Sequence, residues 1–181
     1  MNYIDTHTHF YLEEFDNDRA LCAQKAKDAG ITHMLLPNID QSSWEPMLAL
    51  SKSDKQFFFP MAGLHPTSVL PQTIETELEK VEQYLSSETF VAIGEIGIDL
   101  YWDKTHLSLQ EEVFTHQLRL AKKHHLPVAI HVRNSYNEVW RILKKEAGNG
   151  LQGVFHCFPG NEIQAREVVE AGFLLGIGGV V

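Results

Sequence analysis

The sequence predicts an α/β fold with a parallel sheet, arranged either as a (β/α) barrel or as a doubly wound sheet. Two observations predict it: seven short apolar runs recur along the chain, and segments with helical spacing separate them. Strand–helix–strand alternation implies parallel strands joined by right-handed crossovers, with the helices outside the sheet. The runs are apolar almost without interruption, which is typical of strands buried on both faces. They cover residues 3–5, 32–36, 57–62, 90–93, 127–130, 153–155 and 173–176.

The helices between these strands are predicted from apolar stripes and from end signals. The clearest stripes are Cys22, Ala26 and Ala29 before Gly30; Phe114, Leu118 and Ala121; and Ile163, Val168, Val169 and Ala171 before Gly172. Three Ser-x-x-Glu segments fit the capping box, in which each side chain bonds the backbone amide of the other residue. They pair Ser42 with Glu45, Ser108 with Glu111 and Ser135 with Glu138, and Asn161 with Gln164 is a weaker version.

The composition is that of one soluble domain, predicted to span residues 1–181. The formal net charge of −9 argues against broad binding of nucleic acid along a basic groove. No apolar run approaches the roughly 20 residues that cross a bilayer, and no secretory signal is visible, so no membrane partner is expected. Two cysteines make no disulfide framework, and we expect reduced thiols in the cytoplasm. A monomer is favoured.

The segment Asp5-Thr6-His7-Thr8-His9 directly follows the first predicted strand. Alternate side chains of an extended chain share a face, so His7 and His9 can bind one metal ion while Asp5 supports them as a hydrogen-bond acceptor. A polar strand end with satisfied histidines is the competing interpretation, and the spacing alone does not choose between the two.

Three later strands end in residues of the same chemistry. Glu95 follows the fourth predicted strand, His131 the fifth and His156 the sixth. Ligands bind at the carboxyl ends of parallel strands, and these ends converge in a barrel, so we expect the three side chains to join His7 and His9. Glu95 has two carboxylate oxygens and is predicted to bridge two divalent metal ions, for which this ligand set admits Zn, Mg, Mn or Co.

Five motifs, in this order, resemble the TatD family of metal-dependent deoxyribonucleases, of the amidohydrolase-like superfamily. They are Asp5-Thr6-His7-Thr8-His9, Gly63-Leu64-His65-Pro66, Gly94-Glu95-Ile96-Gly97-Ile98-Asp99, His131-Val132-Arg133 and His156-Cys157-Phe158-Pro159-Gly160. The resemblance implies a TIM-type (β/α) barrel hydrolase that cleaves phosphodiester bonds in DNA, often from a 3′ end. By the family pattern one metal ion would be held by His7, His9 and Glu95, and the other by Glu95, His131 and His156.

The sequence departs from the family pattern at its C-terminal end. Family members continue to an eighth strand, where a Glu-Thr-Asp motif supplies an aspartate ligand at the first metal. This sequence ends at Val181, and a complete barrel typically needs about 250 residues. We therefore expect a barrel that is incomplete at the C-terminus, with about seven of eight βα units and without that aspartate.

Three side chains near these motifs are candidates for roles at the substrate. His65 is predicted to contact a phosphate or relay a proton, against the alternative of a turn residue fixed by Pro66. Arg133 shares a face with His131 if the strand continues, and its guanidinium suits a phosphate oxygen, against a structural salt bridge. Asp99 either orients a metal ligand or caps a turn. The predicted catalytic residues are Glu95, His65 and Arg133.

Tyr101 and Trp102 follow in the loop after the fourth strand. They either stack on bases or pack down onto the barrel. Cys157 is predicted to be an inert, packed thiol that points away from His156. The remaining histidines are predicted to be structural or solvent-exposed, and these are His33, His106, His116, His124 and His125.

The ligand set favours metal-assisted hydrolysis by a water that two metal ions activate. The resemblance implies that the substrate is DNA, cleaved at single-stranded ends in the manner of a 3′–5′ exonuclease. A small-molecule amidohydrolase is one alternative. That class commonly bridges its metals through a carboxylated Lys, and the run from Gly94 to Gly97 contains none. A non-catalytic metal-binding fragment is the other alternative, because an incomplete site can bind one metal without turnover.

Overall fold

The computed structural model describes residues 2–102, 104–146, 148 and 150–178, and its strands and helices alternate as the apolar runs predict. The strands are β1 (Tyr3–Asp5), β2 (Ile31–Pro37), β3 (Phe58–Ala62), β4 (Ala92–Asp99), β5 (Val128–Arg133), β6 (Gly153–Phe155) and β7 (Leu174–Leu175). The helices are α1 (Arg19–Asp28), α2 (Trp44–Ser53), α3 (Ile74–Ser87), α4 (Leu107–His124), α5 (Tyr136–Glu146) and α6 (Glu162–Glu170), with short 3₁₀ turns at Glu13–Phe15 and Pro66–Ser68. Met1 and residues 179–181, the two ends of the predicted domain, lie outside the described residues.

The strands form one parallel sheet in sequential order from β1 to β7. In a flat sheet, three strand spacings would separate β1 from β4 by roughly 14 Å. Instead His7, just after β1, lies 3.0 Å from Glu95 on β4, and its ring stacks on that of His156, just after β6. The sheet is therefore strongly curled. The prediction of a (β/α) barrel is confirmed, and over the described residues this barrel has seven strands with β1 and β7 as its outer ones.

Apolar side chains pack on both faces of the curled sheet. On the inner face Met61, Ala92 and Ala129 form a small buried cluster. On the outer face the helices cover a larger core, to which Phe114 and Leu118 of α4 belong, both fully buried. Each side chain of that size stabilises the fold by about 1.5–3 kcal/mol relative to an exposed one. Burial on both faces explains why the strands are apolar almost without interruption.

Strand β4 is longer than predicted and carries a bulge. The predicted strand ends before Glu95, whereas β4 continues through it and is buried along its whole length. Ile93 pairs with Val128 and Ile96 with Ile130, so β4 advances three residues where β5 advances two. Ile93 and Ile96 both lie in the helix-side core, although strict alternation would place them on opposite faces. The bulge thereby turns Glu95 to the inner face. In a regular strand, Glu95 would share the outer face with Ile93.

One of the predicted capping interactions forms in full, and it is the weaker one. Before α6, the Asn161 side-chain oxygen accepts a hydrogen bond from the Gln164 amide at 3.0 Å, and the Asn161 amide donates to the Gln164 side chain at 3.0 Å. Two orphan amides of the first turn are satisfied in this way.

The serine capping boxes differ from the prediction. Helix α2 begins after Ser43, one residue late for a box from Ser42, and Ser108 lies inside α4 rather than at its start, so both predictions are wrong. Ser135 does precede α5, but its hydroxyl donates to the carbonyl oxygen of Ile98 on β4. Tertiary hydrogen bonds and packing decide these helix starts. Among the described residues no helix is both long enough and apolar enough to cross a membrane.

Candidate metal centre

Four imidazole rings surround the carboxylate of Glu95 at the carboxyl edge of the sheet. Nε2 of His7 lies 3.0 Å from Glu95 Oε2, and the Nε2 atoms of His9 and His65 each lie 3.6 Å from the same oxygen. On the other side, His131 Nδ1 lies 2.8 Å from Glu95 Oε1. The ends of β1, β3, β4 and β5 therefore meet at one carboxylate, which is only 2% exposed.

The charge of Glu95 is set by these neighbours. Burial disfavours its ionised form, but the hydrogen bonds from His131, His65, His7 and His9 outweigh burial and hold the pKa of Glu95 well below its ordinary value. The ligand atoms fall into two groups of three, each with its atoms within 4.8 Å of one another: His7, His9 and Glu95, and His65, Glu95 and His131. Each group contains Glu95, as a carboxylate that bridges two cations requires.

The orientation of His9 is fixed by Tyr11, which the sequence analysis did not single out. The buried Tyr11 hydroxyl donates its proton to the carbonyl oxygen of Pro37 at 2.7 Å and lies 3.0 Å from His9 Nδ1. Burial raises the pKa of Tyr11, so the hydroxyl keeps this one proton. It must therefore accept a hydrogen bond from Nδ1–H of His9. In neutral His9 the unprotonated Nε2 then faces Glu95, and a cation between these two acceptors would satisfy both.

The rings of His7 and His156 stack on each other at the carboxyl edge of the curled sheet. Their centroids are 3.4 Å apart and the planes are inclined by 17°. Burial and then the neighbouring His7 lower the pKa of His156 to about 4, so this ring is neutral near pH 7 and can offer a lone pair to a metal. His156 belongs to neither group of close ligand atoms around Glu95. Its role as a ligand stays a prediction.

His131 is held between two carboxylates. Its Nδ1 faces Glu95, and its Nε2 lies 2.9 Å from Asp99 Oδ2. The other oxygen of Asp99 accepts hydrogen bonds from the backbone amides of Tyr101 and Trp102, at 2.9 and 3.2 Å. Asp99 therefore does both things between which the sequence left a choice: it contacts a predicted metal ligand and it caps the turn after β4.

His65 differs from His9 and His131 in that, when it is neutral, the nitrogen that faces Glu95 is the protonated one. Its Nδ1 accepts a hydrogen bond from the backbone amide of Thr67 at 3.2 Å, at the start of the 3₁₀ turn. When neutral, His65 therefore carries its proton on Nε2, the nitrogen that faces Glu95. This geometry makes His65 a hydrogen-bond donor toward the cluster rather than a source of a lone pair. It is also the turn residue of the alternative interpretation.

Asn38, a fully buried residue just after β2, connects three strand ends. Its side-chain amide donates to the carbonyl oxygen of Gly63 at 2.8 Å. Its backbone amide donates to the carbonyl oxygen of Gly94 at 3.2 Å, and its carbonyl oxygen accepts from the amide of Glu95 at 3.4 Å. The loop that carries His65 and the bulge that carries Glu95 are thereby fixed to the same residue.

Two buried glutamines on α4 hold the backbone beneath the site. Gln117 accepts a hydrogen bond from the amide of Leu64 at 2.7 Å and donates to its carbonyl oxygen at 3.1 Å. Gln110, seven residues earlier, makes the same pair of bonds with Asp99 at 2.8 and 3.2 Å. Sequence analysis missed both, although two glutamines on the apolar stripe of a helix are a visible signal of buried hydrogen bonds.

The chemistry of this donor set fits divalent cations. Glu95 supplies an ionised carboxylate, and His156 and the neutral form of His9 each supply a nitrogen without a proton, a combination that suits Zn, Mn, Co and Mg. Nδ1 of His7 is buried and, within the described part of the chain, has no hydrogen-bond partner. Buried polar atoms of this kind usually have a ligand or an ordered water as their partner.

The cluster lies at the base of a cleft of about 750 Å³. Arg133, at the end of β5, lines this cleft and is the only Lys or Arg among the described residues that do so. Its guanidinium carbon lies 3.9 Å from the ring centroid of Tyr101 and 5.3 Å from that of Trp102. Both rings are exposed, Tyr101 by 54% and Trp102 by 70%, so the interpretation that they pack down onto the barrel is wrong.

Two predictions about neighbouring residues need correction. Asp5 accepts a hydrogen bond from the backbone amide of His7 at 3.1 Å, so it supports the chain rather than an imidazole. Cys157 was expected on the face opposite His156, but β6 ends at Phe155, and Cys157 has a positive φ of 42° and lines the same cleft. Burial raises the pKa of Cys157, which favours the protonated thiol, and its inertness stays a prediction.

Comparison with known proteins gives a match over nearly the whole chain. The sequence profile of the family described as "TatD related DNase" matches residues 4–181. The crystal structure of YjjV, a TatD homologue from Escherichia coli K12, superposes with a TM-score of 0.89 at 32% identity, covering 98% of this chain and 68% of that one.

Sequence relatives carry names of the same kind. The "uncharacterized metal-dependent hydrolases" YabD of Bacillus subtilis and YjjV of Escherichia coli are each 33% identical, over 178 and 181 residues, or 98% and 99% of this chain. The "3'-5' ssDNA/RNA exonuclease TatD" of Pectobacterium carotovorum is 28% identical over 168 residues, or 93% of this chain. The chain spans 69%, 69% and 64% of these three relatives' lengths.

Proposed function

The chain belongs to the family of TatD-related DNases, which are metal-dependent hydrolases, and we propose that it removes nucleotides from the 3′ ends of single-stranded DNA. The main observation in support of this proposal is the Glu95 cluster, in which four imidazoles converge on one ionised carboxylate at the barrel mouth. The printed name of the Pectobacterium relative, a 3′–5′ single-strand exonuclease, supports the direction and the substrate class. The acidic net charge of −9 favours a substrate taken by its end rather than along a basic groove.

Each residue of the cluster has a proposed role. His7, His9 and Glu95 would hold one divalent ion, and Glu95, His131 and His156 the second. When bound, two such ions activate a water and neutralise charge on the attacking and leaving oxygens of the phosphodiester. Glu95 keeps the two groups of ligands at a fixed separation. The Tyr11 hydroxyl accepts from His9 Nδ1–H and the Asp99 carboxylate from His131 Nε2–H, and these hydrogen bonds would hold each ring in the tautomer that ligation needs.

His65 and Arg133 act on the substrate in this proposal. When it is neutral, His65 carries its proton on Nε2, which faces Glu95, and would donate a hydrogen bond to a phosphate oxygen bound at the cluster. The guanidinium face of Arg133 lies on Tyr101, which leaves its N–H edge free for a second phosphate oxygen. No carboxylate of the described residues forms an ion pair with Arg133. Within this part of the chain, a structural salt bridge therefore does not compete for that edge.

We further propose that residues 1–181 work as a single domain, because the described helices all flank one sheet. The free thiols of Cys22 and Cys157 support a reducing, cytoplasmic location.

A nuclease assay with the metal-stripped protein tests the proposal. The protein is reloaded separately with Mg²⁺, Mn²⁺, Zn²⁺ or Co²⁺ and given a 5′-labelled single-stranded oligonucleotide. We expect a ladder that shortens from the 3′ end and stops at a 3′-terminal phosphorothioate linkage. A parallel RNA strand of the same sequence tests the choice of sugar. Hydrolysis of amides or lactones, with none of DNA, would assign the amidohydrolase function instead.

Glu95→Gln is the diagnostic variant, because it keeps the shape of the side chain and removes its charge. We expect the metal affinity and the rate of hydrolysis each to fall by at least about 100-fold, which is more than the loss typical of a residue that only supports a ligand. Glu79→Gln is the matched control, since Glu79 is exposed on α3 and outside the cleft. Full activity of Glu95→Gln would refute the metal centre, and bound metal without turnover in the unmodified protein would indicate a non-catalytic function.

A further inference from the structure

An exposed aromatic pair lies against Arg133, which among the described residues is the only Lys or Arg that lines the cleft. The rings of Tyr101 and Trp102 are perpendicular, with centroids 4.9 Å apart and an interplanar angle of 88°. Arg133 lies over the Tyr101 ring, which holds this ring in place and leaves Trp102 the more exposed of the two, at 70%. Two adjacent exposed rings form one contiguous apolar patch, and such patches indicate interaction sites more than single exposed side chains do.

The aromatic pair is tied to the metal centre through one carboxylate. Asp99 accepts hydrogen bonds from the amides of Tyr101 and Trp102 with one oxygen and contacts His131 with the other. Gln110 in turn fixes the backbone of Asp99 on both its amide and its carbonyl oxygen. The backbone that carries the two rings is therefore tied to the cluster by hydrogen bonds.

We infer that Tyr101, Trp102 and Arg133 form a nucleobase-binding subsite that stacks the base of the nucleotide whose phosphate lies at the Glu95 cluster. The inference rests on the proposed function, which it deepens by assigning the base contact. An aromatic ring stacks on the π-face of any base, so this subsite would strengthen binding without selecting a sequence. A guanidinium beside the rings adds attraction for the phosphate on the same nucleotide.

Intrinsic fluorescence gives a direct measurement of this contact. The chain has three tryptophans, and Trp44 and Trp140 are only 1% and 9% exposed, so an added ligand reaches Trp102 selectively. The Mg²⁺-loaded protein is titrated with 2′-deoxyadenosine 5′-monophosphate and, separately, with 2-deoxyribose 5-phosphate, which has no base. Neither ligand contains a phosphodiester bond, so the measurement is independent of hydrolysis.

We expect the mononucleotide to quench the fluorescence and to bind roughly 5- to 150-fold more tightly than the sugar phosphate, the range that one base stack gives. Trp102→Leu should bring the mononucleotide affinity down at least about 5-fold, toward that of the sugar phosphate, as measured by calorimetry. Trp102→Phe should retain most of the affinity, because a phenyl ring still stacks. Ile163→Ala, at a similarly exposed apolar residue on α6 that is 72% exposed, should change neither affinity.

Equal affinity for the two ligands, or an unchanged mononucleotide affinity in Trp102→Leu, would overturn the subsite. These outcomes are separate from those of the nuclease assay. A protein that trims DNA but binds both ligands equally refutes the subsite and leaves the nuclease standing. A protein that prefers the mononucleotide through Trp102 but hydrolyses no nucleic acid supports the subsite and refutes the proposed nuclease.

Discussion

Tyr11→Phe removes one oxygen atom from the support of the metal centre and leaves the proposed ligands untouched. The hydroxyl lies between Nδ1 of His9, at 3.0 Å, and the carbonyl oxygen of Pro37, at 2.7 Å. Without it, nothing fixes the proton of neutral His9 on Nδ1, and the tautomer with the proton on Nε2 cannot bind a cation there. The variant should therefore weaken the metal that His9 holds.

The expected losses of stability and of metal affinity follow from the two hydrogen bonds that the Tyr11→Phe variant loses. Tyr11 is only 3% exposed, and losing a buried hydrogen-bonding group costs about 1–3 kcal/mol of unfolding free energy. Loss of a group that orients a metal ligand typically weakens metal binding by about 10- to 100-fold. That is about 1.4–2.7 kcal/mol of binding free energy. The second metal, proposed on Glu95, His131 and His156, should change much less.

Competition with a chromophoric chelator measures both metal affinities, and urea unfolding of the metal-free protein measures stability. Tyr84→Phe is the matched control, because it removes a hydroxyl that binds Glu45 at 2.8 Å, outside the cleft. We expect it to leave metal binding within about twofold. If Tyr11→Phe lowered stability but left both metal affinities unchanged, the assignment of Tyr11 to the orientation of His9 would be refuted.

Two further variants test the scaffold around the site. Gln117→Leu leaves the amide and carbonyl of Leu64 without their partners, so we expect kcat to fall roughly 10-fold as the His65 loop loosens, while metal affinity is retained; an unchanged kcat in steady-state kinetics would count against this role. Arg119 and Lys122 lower the pKa of Glu146 to about 2, so its carboxylate stabilises the fold above its ordinary pKa of 4.5 and loses this effect as the pH falls toward 2. Glu146→Gln should therefore lower the free energy of unfolding by about 1 kcal/mol at pH 7. Urea unfolding at a series of pH values should also show a smaller loss of stability toward acid in the variant, and the same loss in both proteins would contradict the ion pairs.

The convergence of the histidines could be predicted from the sequence because it depends on topology alone. Parallel strands present all their carboxyl ends at one edge, so locating the apolar runs was enough to bring His7, His9 and His131 together with Glu95. Boundaries within one or two residues sufficed, since each candidate side chain follows its run directly. Apolar stripes likewise located three of the six helices that separate the described strands, α1, α4 and α6.

The features that could not be predicted depend on contacts between distant segments. The bulge in β4 is a mismatch with β5, and no periodicity within residues 90–99 reveals that register. Tyr11 gains its role from Pro37, which is 26 residues away and comes near it only after the sheet forms. Ser135 could cap α5 by local chemistry, but the carbonyl oxygen of Ile98 offers its hydroxyl a buried partner instead. Local patterns predict elements and edges, whereas tertiary hydrogen bonds decide tautomers and caps.

The two halves of the metal centre have different kinds of support. Glu95 and His131 lie on β4 and β5, which pair with strands on both sides. His7 and His9 lie on the segment after β1, which within the described sheet pairs with β2 alone.

That segment is held instead by side-chain hydrogen bonds: Tyr11 reaches Pro37, and Arg19 donates to the carbonyl oxygens of Phe10 and Leu12 at 3.0 and 2.8 Å. A single lost hydrogen bond therefore removes a larger share of its support than it would on β4. In the proposed centre, metal binding at His7 and His9 would accordingly couple most strongly to local order, because a cation there would supply part of what strand pairing supplies to the other half.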